Sequence, residues 1–258
     1  MSELHGEVKY DRIRVERLSF AYDTHLVLDA INFTVHEGEV LAVLGPNGVG
    51  KSTLFHCLLG FNNKRFKGEI SICGESVRKT SPATLAKRVA FVPQSHSPTF
   101  NYTVRDMVLM GTTAQIGGLG APRAAELKLA EDAMTRAGVL HLAERGYTHI
   151  SGGERQLTLV ARAMAQQAKI LIMDEPTANL DFGNQIRVMR RIRELTREGY
   201  AVVLSTHNPE HALRFADRVL AINRGTIVAI GAPSEVITDA LICELYSLSA
   251  TEIAEYRQ

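Results

Sequence analysis

The residues best suited to chemistry form one short run, Gly45 to Ser52, which reads GPNGVGKS and fits the pattern G-x-x-x-x-G-K-[ST] at every fixed position. An apolar stretch, residues 40–44, precedes it, and apolar residues at helical spacing follow from Leu54 onward. Glycines let the backbone approach a ligand closely, and the N–H groups that open a helix attract anions. The run therefore predicts a phosphate-binding loop, in preference to a glycine-rich turn that only caps a helix.

Two side chains in this loop would add charge and a metal ligand. We expect the ammonium group of Lys51 to lie on the β- and γ-phosphates of a nucleotide. The hydroxyl of Ser52 would help to bind a magnesium ion that bridges the same phosphates.

Polar side chains also follow two other apolar strands. Asp174 and Glu175 come directly after residues 170–173, and His207 comes directly after residues 202–206. A strand-end carboxylate often only faces solvent, and a lone histidine is usually structural. In a parallel sheet, however, ligands lie at the carboxyl ends of the strands. Together with a phosphate-binding loop, these residues predict one site in which His207 makes a catalytic contact.

A second glycine-containing segment opens another helix. Ser151, Gly152, Gly153 and Glu154 precede apolar residues spaced along one helix face from Leu157 onward. Ser151 and Glu154 form the pattern of a capping box. A helix start with two glycines and a serine is also suited to bind an anion, and the two interpretations are compatible.

The composition places limits on the class of protein. The chain has 258 residues, 45% hydrophobic and 22% charged, with a formal net charge of +1. No overall field favours nucleic acid or an acidic membrane surface. Five arginines between residues 187 and 197 lie on a predicted helix with Glu194 and Glu198 interspersed, which predicts a solvated helix face. No stretch suits a signal peptide or a membrane-spanning helix, and the three dispersed cysteines suggest packing roles in a reducing compartment.

The order of elements predicts a layered α/β protein. Polar and apolar side chains alternate in residues 12–20 and 31–35, which predicts two antiparallel strands, with Tyr22 in a turn. Residues 37–39 predict a hairpin turn into the strand at 40–44. The pattern then becomes mainly helical from about residue 104 to 167. Residues 223–225 predict a later hairpin, followed by a short helical tail.

From about residue 12 to 235, the sequence resembles the ATP-binding cassette (ABC) ATPases. Six segments match the motifs of that family in order: Gly45 to Ser52, Gln94, Ser151 to Gln156, Ile170 to Glu175, Ala178 to Asp181, and His207. The resemblance implies a P-loop NTPase core with a parallel sheet, an N-terminal antiparallel β subdomain and an inserted α-helical subdomain. It further implies one domain spanning residues 1–258, with the helical subdomain at about 95–168 and a tail at about 233–258.

The resemblance also implies the roles of individual residues. It implies catalytic roles for Glu175, His207, Lys51 and Gln94, and magnesium binding by Ser52, Gln94 and Asp174. ATP contacts are implied for Tyr22, which would stack on adenine, and for Gly45, Pro46, Asn47, Gly48, Val49, Gly50, Lys51, Ser52, Thr53, Ser151, Gly152, Gly153, Glu154 and Asp181. Two chains would face head to tail as a homodimer and enclose two ATP molecules, each also contacted by Ser151, Gly152 and Gly153 of the other chain.

One difference from the family motif concerns charge. Glu154 stands where the family usually has glutamine, and Ile150 stands where it usually has leucine. The carboxylate suits a helix start but adds negative charge near a triphosphate. We expect an altered nucleotide affinity without loss of function.

Residues 91–94 and 102–111 resemble the ATPases of importers for iron-siderophore, haem, cobalamin and other metal chelates, with molybdate importers also similar. This resemblance implies a motor at the cytoplasmic face of the inner membrane, bound to integral membrane permease subunits through about residues 95–112. A solute-binding protein would be an indirect partner, and no nucleic acid is expected. Two alternatives remain: a soluble ABC ATPase that acts on nucleic acid or the ribosome, and the motor of an ABC exporter.

Overall fold

A computed structural model describes residues 10–94, 100–114 and 122–256. Two sheets organise the chain, one antiparallel with four strands and one mostly parallel with six. The strands are β1 (Asp11–Tyr22), β2 (His25–His36), β3 (Val40–Leu44), β4 (Lys67–Ile72), β5 (Glu75–Ser76), β6 (Val89–Val92), β7 (Ile170–Met173), β8 (Ala201–Thr206), β9 (Arg218–Asn223) and β10 (Thr226–Gly231).

Ten α-helices and two short 3-10 helices accompany the sheets in the described residues. The α-helices are α1 (Lys51–Leu58), α2 (Pro82–Ala86), α3 (Val104–Thr112), α4 (Ala124–Ala137), α5 (Gly152–Ala165), α6 (Phe182–Arg197), α7 (Pro209–Phe215), α8 (Pro233–Val236), α9 (Asp239–Tyr246) and α10 (Ala250–Tyr256). The 3-10 helices are Leu140–Leu142 and Tyr147–His149. Among these elements, no helix combines the length and the apolar composition needed to cross a membrane.

The N-terminal strands pair with one another, as the sequence predicts, but their boundaries and partners differ from the prediction. Strands β1 and β2 form a long antiparallel hairpin, and β4 pairs with the other edge of β1. Tyr22 is the last residue of β1 and does not lie in a turn. The expected hairpin turn at residues 37–39 is wrong, because β2 and β3 belong to different sheets. Residues 37–39 instead carry the chain from one layer to the next.

The main sheet has the order β10-β9-β3-β8-β7-β6. Every residue of β3, β7 and β8 is buried, which explains why β3 and β7 are continuous apolar runs and why β8 is apolar up to Leu204, without alternation. The chain reverses between β9 and β10 at residues 223–225, so that predicted hairpin is confirmed. Because β3, β7 and β8 are parallel neighbours, the residues that follow them meet at one edge of the sheet.

Helices α3, α4 and α5 pack against one another beside the main sheet. Helices α3 and α5 approach closely at Gly111, where an added Cβ atom would lie 2.0 Å from the carbonyl oxygen of Arg162. Helix α3 begins at Val104, where the sequence pattern becomes helical, whereas residues 95–99 and 115–121 of the expected helical subdomain lie outside the described residues. On α6 the arginines form ion pairs, for example Arg193 with Asp217, in agreement with the predicted solvated face. Of the cysteines, Cys57 is buried but Cys73 is exposed, so packing does not account for Cys73.

Candidate nucleotide-binding and hydrolysis site

The phosphate-binding loop joins β3 to α1. Gly48 and Gly50 have φ values of 83° and 108°, in the left-handed region that favours glycine. Within the described residues, the backbone N–H groups from Gly48 to Thr53 have no hydrogen-bond acceptor, and the first turn of α1 contains no acidic residue. A row of free donors at a helix start binds an anion with several negatively charged oxygens, such as a polyphosphate.

Lys51 lies under this loop with its side chain only 6% exposed. Its Nζ atom donates to the carbonyl oxygens of Gly45 at 2.6 Å and Pro46 at 3.0 Å, and lies 3.5 Å from Oε1 of Glu175. Burial lowers the pKa of the Lys51 ammonium group, and the nearby negative charge of Glu175 opposes that shift. A fixed positive charge therefore stands between the loop and the carboxylate.

Ser52, Asp174 and Ser205 form a chain of hydrogen bonds. The Oγ atom of Ser52 donates to Oδ2 of Asp174 at 2.9 Å, and Oγ of Ser205 donates to Oδ1 of the same carboxylate at 2.6 Å. The hydroxyl and the carboxylate that the sequence assigns to magnesium are thus neighbours, and both are oxygen ligands of the kind Mg²⁺ prefers. The described residues contain no cluster of three or more His, Cys, Asp or Glu that could hold a metal. A pair of oxygen ligands fits an ion that keeps several waters and takes its other ligands from phosphate.

Glu175 has a strained backbone and a well-defined set of partners. Its φ of 42° is unusual for a residue other than glycine, and such strain is concentrated at functional sites. Its backbone N–H donates to Oγ of Ser205 at 2.8 Å, and its Oε2 lies 3.1 Å from Nδ1 of His207. The Glu175 side chain is only 10% exposed, whereas that of His207 is 54% exposed. The carboxylate is therefore held at the edge of the sheet with the imidazole on its open side.

A cavity of about 290 Å³ lies in front of these groups, and Asn47, Gln94, Glu175 and His207 contribute to its walls. Gln94 follows β6 and is exposed. Among the described residues it makes no hydrogen bond to Ser52 or Asp174, so it joins the cavity without joining the oxygen pair.

Tyr22 lies away from the cavity, and 43% of its surface is exposed. Its ring packs edge-on against Phe20 with centroids 4.8 Å apart. The guanidinium group of Arg65 lies 5.7 Å from the centroid of the Tyr22 ring. An exposed aromatic ring can stack on a base, as the sequence predicts, but Arg65 approaches the same ring.

The segment from Ser151 to Glu154 opens α5 in the expected way. Oγ of Ser151 accepts from the backbone N–H of Glu154, and Oε2 of Glu154 accepts from the N–H of Ser151 at 2.7 Å. This hydrogen bonding lowers the pKa of the Glu154 carboxyl group. No hydrogen bond or ion pair in the described residues joins residues 151–154 to the phosphate-binding loop.

Asp181 caps α6 instead of joining the cavity. Its Oδ1 accepts from the backbone N–H of Asn184 at 2.9 Å, and this bond is the main cause of the lowered pKa of Asp181. A Cβ atom added to Gly153 would lie 2.2 Å from the side chain of Asn184, so the starts of α5 and α6 are neighbours.

Two residues that join the site were missed from the sequence. Among the buried strands β3, β7 and β8, only β8 has a hydroxyl residue, Ser205, before its last position. A hydroxyl inside a buried apolar strand is a signal that the sequence offers. Tyr246 donates from its hydroxyl to the carbonyl oxygen of His207 at 2.6 Å. Nothing near Tyr246 in the sequence indicates this contact, because 39 residues separate the partners.

Residues 28–178, more than half of the chain, match the ABC transporter family. The chain belongs to that family. It is an ABC transporter ATPase, in which ATP hydrolysis is coupled to transport. The predicted family, fold and enzyme class are thereby confirmed.

Relatives of this ABC ATPase align with its sequence over nearly its full length. An ABC transporter ATP-binding protein of Haemophilus influenzae is 40% identical over 92% of this chain and 90% of its own. The hemin import ATP-binding protein HmuV of Thermobifida fusca is 38% identical over 93% and 84%, respectively. The molybdate import ATP-binding protein MolC of H. influenzae is 34% identical over 95% and 92%. A solved structure described as an inward-facing metal-chelate type ABC transporter superimposes with a TM-score of 0.82 at 34% identity, covering 92% of this chain and 89% of its own.

Proposed function

We propose that this ATPase drives the import of a metal chelate, or of a related metal-containing solute, through a separate permease. The observation that carries the catalytic part is the meeting of Lys51, Ser52, Asp174, Glu175 and His207 at one edge of the main sheet. The import direction and the class of solute are supported by the hemin and molybdate relatives and by the metal-chelate type structure.

The chemistry assigned to each side chain follows from its surroundings. Mg²⁺, when bound, neutralises phosphate charge. Ser52 and Asp174 would hold this ion, and Lys51 would add a positive charge. Glu175 accepts the proton of the attacking water, because Ser205 binds its backbone N–H and its carboxylate lies at the cavity wall beside His207. His207 stabilises charge on the transferred phosphoryl group from the open side of Glu175. Gln94, on the wall of the same cavity, remains assigned to magnesium binding and to catalysis, as the resemblance to the family implies.

The working unit that we propose is a homodimer, with each chain forming one ATPase domain over residues 1–258. The N–H groups of Gly152 and Gly153 have no acceptor among the described residues, although the capping box satisfies their neighbours. They are free to bind the phosphates held by a second chain, and the nearby Asp181 would lie at the same interface. Tyr22 stacks on the adenine of the nucleotide held by its own chain.

We assign the permease to a second groove, which is bordered by α2 and α3. The groove has a volume of about 370 Å³ and is lined by Phe61, Leu85, Phe91 and Met110, among others. Phe61 is 71% exposed and Met110 is 37% exposed, which is unusual for large apolar side chains. Met110 belongs to the stretch, residues 95–112, in which the sequence predicts docking, while residues 95–99 lie outside the described residues.

Arg162 gives the groove a charge. It lines the same wall, and burial lowers the pKa of its guanidinium group. No carboxylate forms an ion pair with it in the described part of the chain. We therefore assign to this groove an amphipathic cytoplasmic helix of the permease that carries an acidic side chain. Through this proposed contact the ATPase would be held at the cytoplasmic face of the inner membrane.

The test is recovery of partners from detergent-solubilised native membranes with magnesium and a non-hydrolysable ATP analogue. We expect a stoichiometric polytopic permease with the parental chain, and loss of that permease with Phe61→Ser. Tyr10→Ser is the matched control, because Tyr10 is also 71% exposed but lies immediately before β1. Recovery of ribosomal or nucleic-acid partners alone would overturn the transport proposal. The solute is then identified by ligand binding to the solute-binding protein that accompanies the permease.

A further inference from the structure

We propose that Tyr246 is a positioning residue for hydrolysis, through which the C-terminal tail holds the backbone of His207 in place. The tyrosine lies at the end of α9, and its hydroxyl donates to the carbonyl oxygen of His207 at 2.6 Å. This hydrogen bond joins a segment without any family motif to the residue that faces the catalytic carboxylate. The inference rests on the proposed role of His207.

His207 needs support of this kind. It follows the last residue of β8, and α7 begins two residues later, so it lies in a short connection between two elements. Its side chain is 54% exposed, and its only side-chain partner in the described residues is Glu175, at 3.1 Å. With so little packing around the imidazole, its direction is determined mainly by the backbone that carries it.

Tyr246 is well suited to fix that backbone. Leu241 and Leu245 are buried and anchor α9 to the main core. Ser247 takes a left-handed conformation with φ of 56°, so α9 ends immediately after the tyrosine. A rigid aromatic ring on an anchored helix places its hydroxyl with little conformational freedom.

The hydroxyl also remains a donor over the working pH range. Burial raises the pKa of Tyr246 to about 12, and the negative charge of Glu175 contributes in the same direction. The proton is therefore retained at neutral pH, and the bond to the His207 carbonyl persists. The geometry between the tail and the site is therefore maintained, because neither partner changes its protonation state in that role.

The experiment is steady-state ATP hydrolysis by Tyr246→Phe, which removes the hydroxyl and keeps the ring. We expect kcat to fall about fivefold, equivalent to about 1 kcal/mol, with the KM for ATP unchanged. The KM is unaffected because, in the described residues, no hydrogen bond joins Tyr246 to the phosphate-binding loop. Tyr200→Phe is the control, since Tyr200 is buried elsewhere, against Lys169. A purely structural tyrosine would lower the melting temperature and leave kcat at the parental value, and that result would overturn the proposal.

A double-mutant cycle with His207→Ala separates this inference from the proposed function. If Tyr246 acts through His207, the Tyr246→Phe change has no further effect on the residual rate of His207→Ala. An undiminished fivefold effect in that background would overturn the positioning role. Parental activity in His207→Ala alone would instead remove His207 from the proposed mechanism. The two failures are therefore distinct.

Discussion

Helices α1 and α5 both begin with glycine-rich segments, yet their first turns are prepared differently. The start of α1 has no side-chain cap and no acidic residue, and Lys51 lies beneath it. The start of α5 has a complete capping box, in which Ser151 and Glu154 satisfy each other's backbone N–H groups. A carboxylate thus already lies where α1 leaves room for phosphate.

The two helix starts also differ in their neighbours. The first is surrounded within its own chain by Asp174, Glu175 and His207, which follow neighbouring parallel strands. The second has neighbours of another kind, Leu180 beside Gly152 and Asn184 beside Gly153. In the proposed dimer the chain would therefore hold one nearly complete hydrolytic half-site and present a second, partly satisfied donor surface to the other chain.

The largest effect is expected from Glu175→Gln, which tests the hydrolytic half-site around the start of α1. Glutamine keeps the size of the side chain but cannot accept the proton of water, so kcat should fall by about 10²–10⁴-fold. Nucleotide binding should persist, and an ATP-bound dimer should accumulate in size-exclusion chromatography. Glu131→Gln on α4 is the control, because Glu131 is exposed and distant in sequence from every site residue. Parental turnover in Glu175→Gln would remove the residue from its assigned role.

The second prediction tests whether the start of α5 works on a neighbouring chain. Lys51→Ala disables the phosphate-binding loop, and Gly152→Asp places a negative charge at the start of α5. A Cβ atom at Gly152 lies 3.5 Å from Leu180, an ordinary contact, so Gly152→Ala serves as the neutral control. Each disabled chain should be inactive alone, because both sites of its dimer are damaged.

Mixing the two chains distinguishes the arrangements. In a mixed dimer one site carries both defects and the other carries neither, so random pairing should restore about a quarter of the parental activity. If the α5 start served the loop of its own chain, every site would remain damaged and mixing would restore nothing.

A smaller effect is expected from Ser205→Ala, which removes support for Asp174 and Glu175 in the half-site around α1 without changing a residue that is assigned to nucleotide. The change removes the hydrogen bond to Asp174 and leaves the buried N–H of Glu175 without its acceptor. We expect a roughly tenfold lower kcat and a loss of about 1–3 kcal/mol in the free energy of unfolding. Ser71→Ala on β4 is the control for removing a strand hydroxyl. Unchanged kcat with reduced stability would make Ser205 a structural residue only.

The sequence predicts the site around the start of α1 better than it predicts the contacts that surround either helix start. Apolar runs identify β3, β7 and the first four residues of β8, and parallel neighbours must place the residues after these strands together. The site therefore follows from local patterns plus one rule of topology. The error at residues 37–39 arises because a short polar connection looks the same whether it turns within one sheet or crosses to another.

Contacts between distant segments could not be predicted in this way. Ser205 and Asp174 are 31 residues apart, and Tyr246 and His207 are 39 residues apart. Each hydrogen bond depends on how complete elements pack, and no periodicity encodes that packing. The capping box at Ser151 and Glu154 is the opposite case, because its partners are three residues apart and its pattern is local.

The smallest effect is expected from Glu154→Gln, which tests whether the carboxylate at the start of α5 repels nucleotide. Glutamine can keep the capping box, so the fold should remain and kcat should stay within about twofold. Removing the charge should lower the KM for ATP by about two- to fivefold at low salt, with the difference shrinking as salt screens it. An unchanged KM at low ionic strength would show that the charge does not reach the nucleotide.

The same variant has a distinct dependence on pH. The pKa of the Glu154 carboxyl group is lowered from 4.5, chiefly by the N–H of Ser151, so its ionised form stabilises the fold above that value. This contribution is lost as the pH falls through the lowered pKa. The melting temperature of the parental chain should therefore fall more steeply than that of Glu154→Gln below pH 4.5. Parallel curves would mean that the capping hydrogen bond is as strong with a neutral side chain, and any change in KM would then be assigned to the charge alone.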